Sequence, residues 1–404
     1  MVLMAYDESA TLGGRFDHAR ECLIEMAPGA RRPGKTYQGF VKAAKRLPPG
    51  TLDRLQAHLR KQHQRIAGAS WKRYGWVIVA CDGSRVEVPR TARNEAAFGC
   101  AGRKKTGPQL GVTTLYHMGT GLPWAWKVGA GTDSERGQLR AMLDTLPADS
   151  AESAGVAACR RRRVHRRTRL GSCYDLMQTL NAQGTSFLIR VGSNVTLLTE
   201  LGLEVKTDGD VVWLWPQSKR DQPPMKLRLI RLPHANGSDA MYLLTNVFDP
   251  ERLSDTMAAT LYEMRWGVEV FYRSYKQTLE QRKMRSDAPE QALWECHGGL
   301  LALLRLGLMS VEGMVAQGED PLGLRVAAAL RIVRDAIRTP RRWRRRGDLR
   351  VLLATARKDG YQRRAAKKAR NWPHKKREQP PGQPKTRTAT INETLRAKRV
   401  YMAA

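Results

Sequence analysis

Four residues of the segment LYEMRWGVEVFYRSYK can do chemistry together. Tyr262, Arg265, Glu269 and Lys276 are separated by 3, 4 and 7 positions, the spacing that lines side chains up on one stripe of an α-helix. The apolar residues Leu261, Met264, Val268, Phe271 and Tyr275 repeat close to the same period, so the chemical stripe lies about 100° around the helix from the core stripe and flanks it. One carboxylate among arginine, lysine and tyrosine donors suits metal-assisted phosphodiester chemistry: the carboxylate holds a divalent cation, and the basic and phenolic groups fix phosphates. A solvated charged face has the same spacing, and the helix alone does not choose between the two.

A second carboxylate, Asp82, follows the apolar run Gly75-Trp76-Val77-Ile78-Val79-Ala80-Cys81. The run reads as a buried strand ending at Asp82, with Asp82-Gly83 as the turn signal. A carboxylate at the end of a central strand can meet a helix-borne carboxylate over a sheet, whereas an Asp-Gly pair by itself is also an ordinary turn.

These residues need a scaffold, and the hydrophobic pattern supplies one. Residues 1 to about 70 have helical spacing in Tyr37 to Leu47 and Leu52 to Leu59 among many basic side chains. Strands are expected at Leu110 to His117 and Pro123 to Val128, then a helix from Ser134, its N-cap, to Leu146. A strand at Ala154 to Cys159, a helix at Tyr174 to Leu180 and a strand at Ser186 to Val191 complete the order βββαβαβ, which fits a mixed sheet covered by helices. Between Val195 and Asp249 the sequence is β-rich, with runs at Val211 to Trp215, Met225 to Leu232 and Met241 to Val247, and reads as an inserted sheet. The helix bearing Glu269 spans Leu253 to about Gln281, and a buried helix follows at Ala292 to Val311. From Arg331 the chain is sharply basic and reads as a partly ordered tail that gains structure on a polyanion.

Lysine and arginine number 70 against 38 acidic residues, a formal net charge of +32 that points to a polyanionic partner. The longest apolar stretch, Gly298 to Val311, is interrupted by Arg305 and is too short to cross a bilayer. No basic, apolar leader opens the sequence, so a cytosolic protein is expected. The six cysteines are scattered without a CxxC pair, which argues against a zinc ribbon or a disulfide framework. The histidines form no close ligand pair, and Gly99 to Lys105 lacks the ending of a phosphate-binding Walker loop. Trp213 and Trp215 alternate on one strand face, where they either pack a core or stack on an extruded base. Trp343 and Trp372, set among basic residues, either stack on bases or are incidental to a solvated tail.

The Y-(2)-R-(3)-E-(6)-K pattern of Tyr262, Arg265, Glu269 and Lys276, joined by Asp82-Gly83, resembles the signature of the IS4-family transposases of the DDE type. The likeness extends from about Tyr37-Gln38-Gly39-Phe40 through FLIRVGSNVTLL (Phe187 to Leu198) into the basic tail. The resemblance implies an α/β fold: an RNase H-like mixed sheet flanked by helices, with a β-rich insertion before the glutamate helix. It implies a helical DNA-binding region at 1–70, a catalytic domain at 71–330 with the insertion at 192–250, and a basic C-terminal region at 331–404, partly disordered. Asp82 and Glu269 would be two of three catalytic, metal-binding carboxylates, the metal being Mg2+ or Mn2+. Tyr262, Arg265 and Lys276 would contact transposon-end DNA, with Arg265 and Lys276 at phosphates. The partners implied are double-stranded DNA ends and target, held by a homodimer, and no membrane.

In one respect the sequence departs from that family, whose second aspartate falls near Cys159 or near Arg167 and Thr168. The run Cys159 to Cys173 holds seven arginines and no carboxylate. A compensated reading-frame shift would produce such a run, and so would a basic DNA-contacting loop. Asp175 is the nearest carboxylate. Two carboxylates without the third bind paired metals weakly, so the alternative to an active transposase is a non-catalytic DNA-binding remnant. An RNA-binding protein, which the charge alone allows, lacks any motif in its favour.

Overall fold

The computed structural model describes residues 1–100, 107–143, 154–159, 170–203, 210–233, 240–340, 348–358 and 382–402. In chain order, helices α1 (Val2–Tyr6), α2 (Leu12–Met26), α3 (Tyr37–Lys45) and α4 (Thr51–Ala67) precede β1 (Val77–Glu87), α5 (Ala92–Phe98), β2 (Gln109–His117), β3 (Leu122–Ala130) and α6 (Glu135–Leu143). Then come β4 (Ala154–Cys159), α7 (Leu170–Ala182), β5 (Ser186–Val191), β6 (Thr196–Thr199), β7 (Val211–Leu214), β8 (Met225–Leu232) and β9 (Met241–Thr245). Last are α8 (Asp255–Met264), α9 (Trp266–Arg273), α10 (Pro289–Ala316), α11 (Val326–Arg338), α12 (Leu349–Ala354), β10 (Lys385–Thr388) and α13 (Ile391–Met402). These form two compact units, Met1–Leu146 with Trp266–Lys358, and Pro147–Arg265 with Asp359–Ala404.

In the first unit β1, β2 and β3 form an antiparallel meander, with Asp82 opposite Thr114 on β2. The core helix is α10, which contacts α1, α4, α11, α12 and β3. It is 28 residues long, well beyond the stretch expected from the sequence, because Pro289 opens it at a position where a missing N–H costs nothing. Its length and composition would suit a membrane span, but 72% of its apolar window is buried inside the protein, as in the core helix of a globular domain.

Residues 1–70 are built into this unit. Helix α4 buries Gln56, Leu59, His63 and Ala67 along one stripe. Gln56 Oε1 accepts from the Trp126 N–H of β3 at 3.4 Å. The Tyr6 hydroxyl of α1 donates to Ala302 O of α10 at 2.7 Å, and Arg334 Nε of α11 donates to Tyr6 O at 2.9 Å.

The second unit is a mixed sheet in the order β10-β6-β7-β8-β9-β5-β4. Strands β4 and β5 are parallel, β5 to β9 and the insertion strands antiparallel, and β10 joins β6 in parallel. Helix α8 is held on β8 by Arg228, which is buried and donates to Leu253 O at 2.7 Å and to Asp255 Oδ1 at 2.6 Å.

Leu198, Leu201, Trp213, Trp215 and Ala397 form a core under the insertion, so both tryptophans are packing residues. The Trp215 indole N–H donates to Gln222 O at 2.7 Å, and the Arg220 guanidinium covers its ring at 4.2 Å. Ala397 belongs to α13, so the last part of the basic region is folded rather than a tail awaiting a partner. Glu393 secures it, pairing with Arg220 at 2.6 Å and Arg387 at 2.7 Å. Trp343, Trp372 and the arginine and lysine clusters around them lie outside the described residues.

Candidate active site

The apolar run Val77 to Cys81 makes the buried half of β1, and Asp82 is the first residue of the strand to reach partial exposure. The strand does not end there, as the Asp-Gly pair suggested, but continues to Glu87 in unbroken register with β2. The glycine has a different reason. A Cβ on Gly83 would fall 2.4 Å from Glu135 Cγ and 2.5 Å from its Oε1. The Glu135 side chain therefore lies directly across the bare backbone next to Asp82, at the start of α6. Nothing in the sequence beyond the N-terminal position of Glu135 on its helix signals this contact.

Glu269 sits in the first turns of α9, whose face Val268, Phe271 and Tyr272 is buried in the first unit. Close approach of this helix to β2 requires Gly267, since a Cβ there would stand 2.8 Å from the Tyr116 ring. Phe271 packs on Tyr116 with ring centroids 6.1 Å apart. Tyr272 reaches furthest: its hydroxyl lies 2.9 Å from Asp82 O, 2.9 Å from Val112 O and 3.0 Å from Thr114 Oγ1. Burial, with the nearby negative charges of Asp82 and Glu135, pushes the Tyr272 phenol far above its ordinary range, so it stays protonated.

The single helical stripe expected for the four signature residues is not continuous. Arg265 is a turn between α8 and α9, and Ser274–Thr278 form a π-helical turn closed by the Leu279 N–H donating to Ser274 O at 2.9 Å. The wider turn rotates Lys276 off the ideal α-helical stripe, a device common at functional sites. Tyr275 pins the turn to α10 through its hydroxyl, 3.2 Å from Cys296 O and 3.3 Å from Cys296 Sγ. Burial drives that thiol up to about 12.

Asp82, Glu269 and Lys276 thus belong to the first unit. Tyr262 and Arg265 close α8 in the second unit, both buried, with the guanidinium 5.4 Å from the centre of the Tyr262 ring. Residues 160–169, most of the arginine run, lie outside the described residues. Asp175 is described, and its carboxylate is engaged by Lys219 Nζ at 2.8 Å. Among the described residues no group of three or more His, Cys, Asp or Glu side chains is arranged to hold a metal ion.

Residues 74–305, more than half of the chain, match the family described as the transposase DDE domain. The chain belongs to that family. Within it the IS4 type is the matching one: the chain is 24% identical over 295 residues to the transposase InsG for insertion sequence element IS4 of Escherichia coli strain K12. That match covers 69% of this chain and 61% of the relative, so the chain spans about three fifths of the length of the curated relative it matches. Among solved structures it is similar to the piggyBac transposase synaptic complex with hairpin DNA, at a TM-score of 0.37 and 10% identity, over 70% of this chain and 58% of that one.

Proposed function

We propose that the chain is an insertion-sequence transposase with an RNase H-like catalytic part, which binds the ends of its element as a homodimer and acts on phosphodiester bonds with Mg2+ or Mn2+. The observation that carries this reading is the tie between the two carboxylate-bearing elements: the helix of Glu269 is hydrogen-bonded through Tyr272 to the backbone of Asp82 itself. Both carboxylates are hard oxygen donors and half-buried in one unit. Such a pair fits Mg2+, which is commonly held by one or two carboxylates with substrate phosphates filling other positions.

Asp82 and Glu269 would hold the cation, which when bound supplies activation of a water or 3′-hydroxyl and neutralises charge on the reacting phosphate. Lys276, in its pinned π-turn, takes a phosphate oxygen. Tyr262 and Arg265 would contact end DNA, Arg265 through its guanidinium at a phosphate, once DNA binding uncovers the end of α8, where both are buried in the free chain.

The aspartate-free run Cys159 to Cys173 favours a second reading, a remnant that binds DNA and cuts it poorly or not at all. Incubation of the full chain with supercoiled plasmid and Mg2+ or Mn2+ tests both. Nicking lost in Glu269→Gln and Asp82→Asn is the result of an active site. Steeply salt-dependent DNA binding without nicking is the result of the remnant. Absence of both binding and nicking overturns the proposal.

A further inference from the structure

The geometry points to Tyr272 as a positioning residue that sets the spacing between the carboxylates of Asp82 and Glu269; the inference rests on the metal-holding reading of those two residues. Tyr272 follows Glu269 by three positions, so the two are neighbours on one side of α9. A helix resting on a sheet through apolar contacts alone can slide by a fraction of an ångström at little cost. A hydrogen bond with a defined length and direction removes that freedom.

Here the bond is made at the very residue that carries the other carboxylate. Asp82 and Thr114 are cross-strand partners, and the phenol oxygen is within 3.0 Å of atoms from both. The phenol has one proton, which it donates to Asp82 O or Val112 O. The Thr114 hydroxyl is free to rotate and donates to the phenol oxygen in return. Helix α9, strand β1 and strand β2 are thereby fastened at one point. The hydroxyl is buried, so water does not compete for these contacts.

Mg2+ and Mn2+ sites tolerate little error in ligand placement, since Mg2+ demands near-octahedral geometry with bonds of about 2.0–2.1 Å. Carboxylates arriving on a strand and a helix meet that demand only if strand and helix are locked together. Tyr272 is the lock.

The test is a titration of the full chain with Mn2+ alone, without DNA, following free Mn2+ by electron paramagnetic resonance and recording Tm for each variant. Tyr272→Phe keeps the ring and removes the oxygen, and weakens Mn2+ binding about 10-fold, the scale of losses from groups that orient metal ligands. Tyr6→Phe is the control. It deletes another buried phenol that donates to Ala302 O, lowers Tm to a similar degree and leaves Mn2+ affinity unchanged. If Tyr272→Phe does not fold, Thr114→Val decides, since it withdraws the donor to the phenol oxygen and is expected to weaken binding several-fold. Wild-type affinity in the variant that folds, or an equal loss in Tyr6→Phe, overturns the positioning role while leaving the metal-holding reading intact. A wild-type chain that binds no Mn2+ overturns that reading itself, and the inference with it.

Discussion

Acid should unlock the first unit well before ordinary carboxylate titration does, because it folds around neutral histidines. His117 is fully buried on β2, and its proton positions follow from its partners. The Thr120 N–H donates to Nδ1 at 3.2 Å, so the proton sits on Nε2 and is donated to Trp71 O at 3.1 Å. His63 of α4 shares the Thr120 hydroxyl at 2.6 Å. His297 of α10 accepts the Trp126 indole N–H on Nδ1 at 3.1 Å. Burial lowers His117 and His297 from 6.5 to about 4, and it holds His63 well below its ordinary value, with the neighbouring His117 adding to the effect. A group whose pKa is lower in the folded than in the unfolded chain contributes stability above its unfolded pKa, and that stability is lost as pH falls from 6.5 toward 4. At pH 5, His117 and His297 together cost about 4 kcal/mol relative to pH 7, about 2 kcal/mol each. That is a large share of the roughly 5–15 kcal/mol that holds a domain together. Urea unfolding of the DNA-free chain at pH 7, 6 and 5 measures it. His297→Gln, which can still accept from Trp126 but cannot protonate, should recover about half of the loss. Stability at pH 5 within about 1 kcal/mol of that at pH 7 would refute the reasoning.

Three further outcomes are expected. Gly83→Ala forces the Glu135 side chain off the β1 backbone and should cost no more than about 1 kcal/mol in urea unfolding, because a half-exposed side chain can swing aside; a larger loss would show that Glu135 is fixed in that place. Gly267→Ala should lower Tm although alanine favours a helix by about 1 kcal/mol, because the new methyl meets the Tyr116 ring at 2.8 Å. Glu393→Ala leaves Arg220, 8% exposed and stacked on Trp215, without its carboxylate and should cost roughly 3 kcal/mol. Limited proteolysis should then release residues 382–402, and an unchanged digestion pattern would show that α13 does not depend on this pair.

Elements that rely on side-chain pattern were legible in the sequence. Strands Ala154–Cys159, Ser186–Val191 and Met225–Leu232 have the ends expected from their apolar runs, and the inserted sheet contains no α-helix among its described residues. Elements that rely on backbone pairing or close approach were not. Strand β10, KTRT, has four exposed side chains and no apolar period, and it is a strand because its main chain pairs with β6. Helix α5 is short and announced only by the Thr91 cap, whose hydroxyl accepts from Asn94 N. The Asp82-Gly83 pair carried a turn signal, but glycine also appears where another side chain crosses the backbone, and Glu135, more than 50 residues away, supplies that side chain. The four-residue signature was legible as spacing, while the π-turn beneath Lys276 and the division of the signature between two units depend on contacts with Cys296 and on the packing of each unit.

Each carboxylate of the candidate site has a glycine close to it in sequence, and the two glycines answer the same physical need. Gly83 leaves room for Glu135 beside Asp82, and Gly267 leaves room for Tyr116 beneath the helix of Glu269. At Gly83 a methyl group would push the Glu135 side chain away from Asp82, and at Gly267 it would lift the helix of Glu269 off the packed Tyr116 ring, the kind of displacement that a metal-holding pair does not tolerate. Tyr272 then fixes what the glycines permit, since its hydroxyl reaches Asp82 O only when α9 lies as close to the strands as Gly267 allows. The chemistry of such a site therefore depends on backbone clearance as much as on the carboxylates. A chain that loses Gly267, where the obstacle is a packed ring, should therefore bind Mn2+ more weakly than one that loses Gly83, where the Glu135 side chain can swing aside.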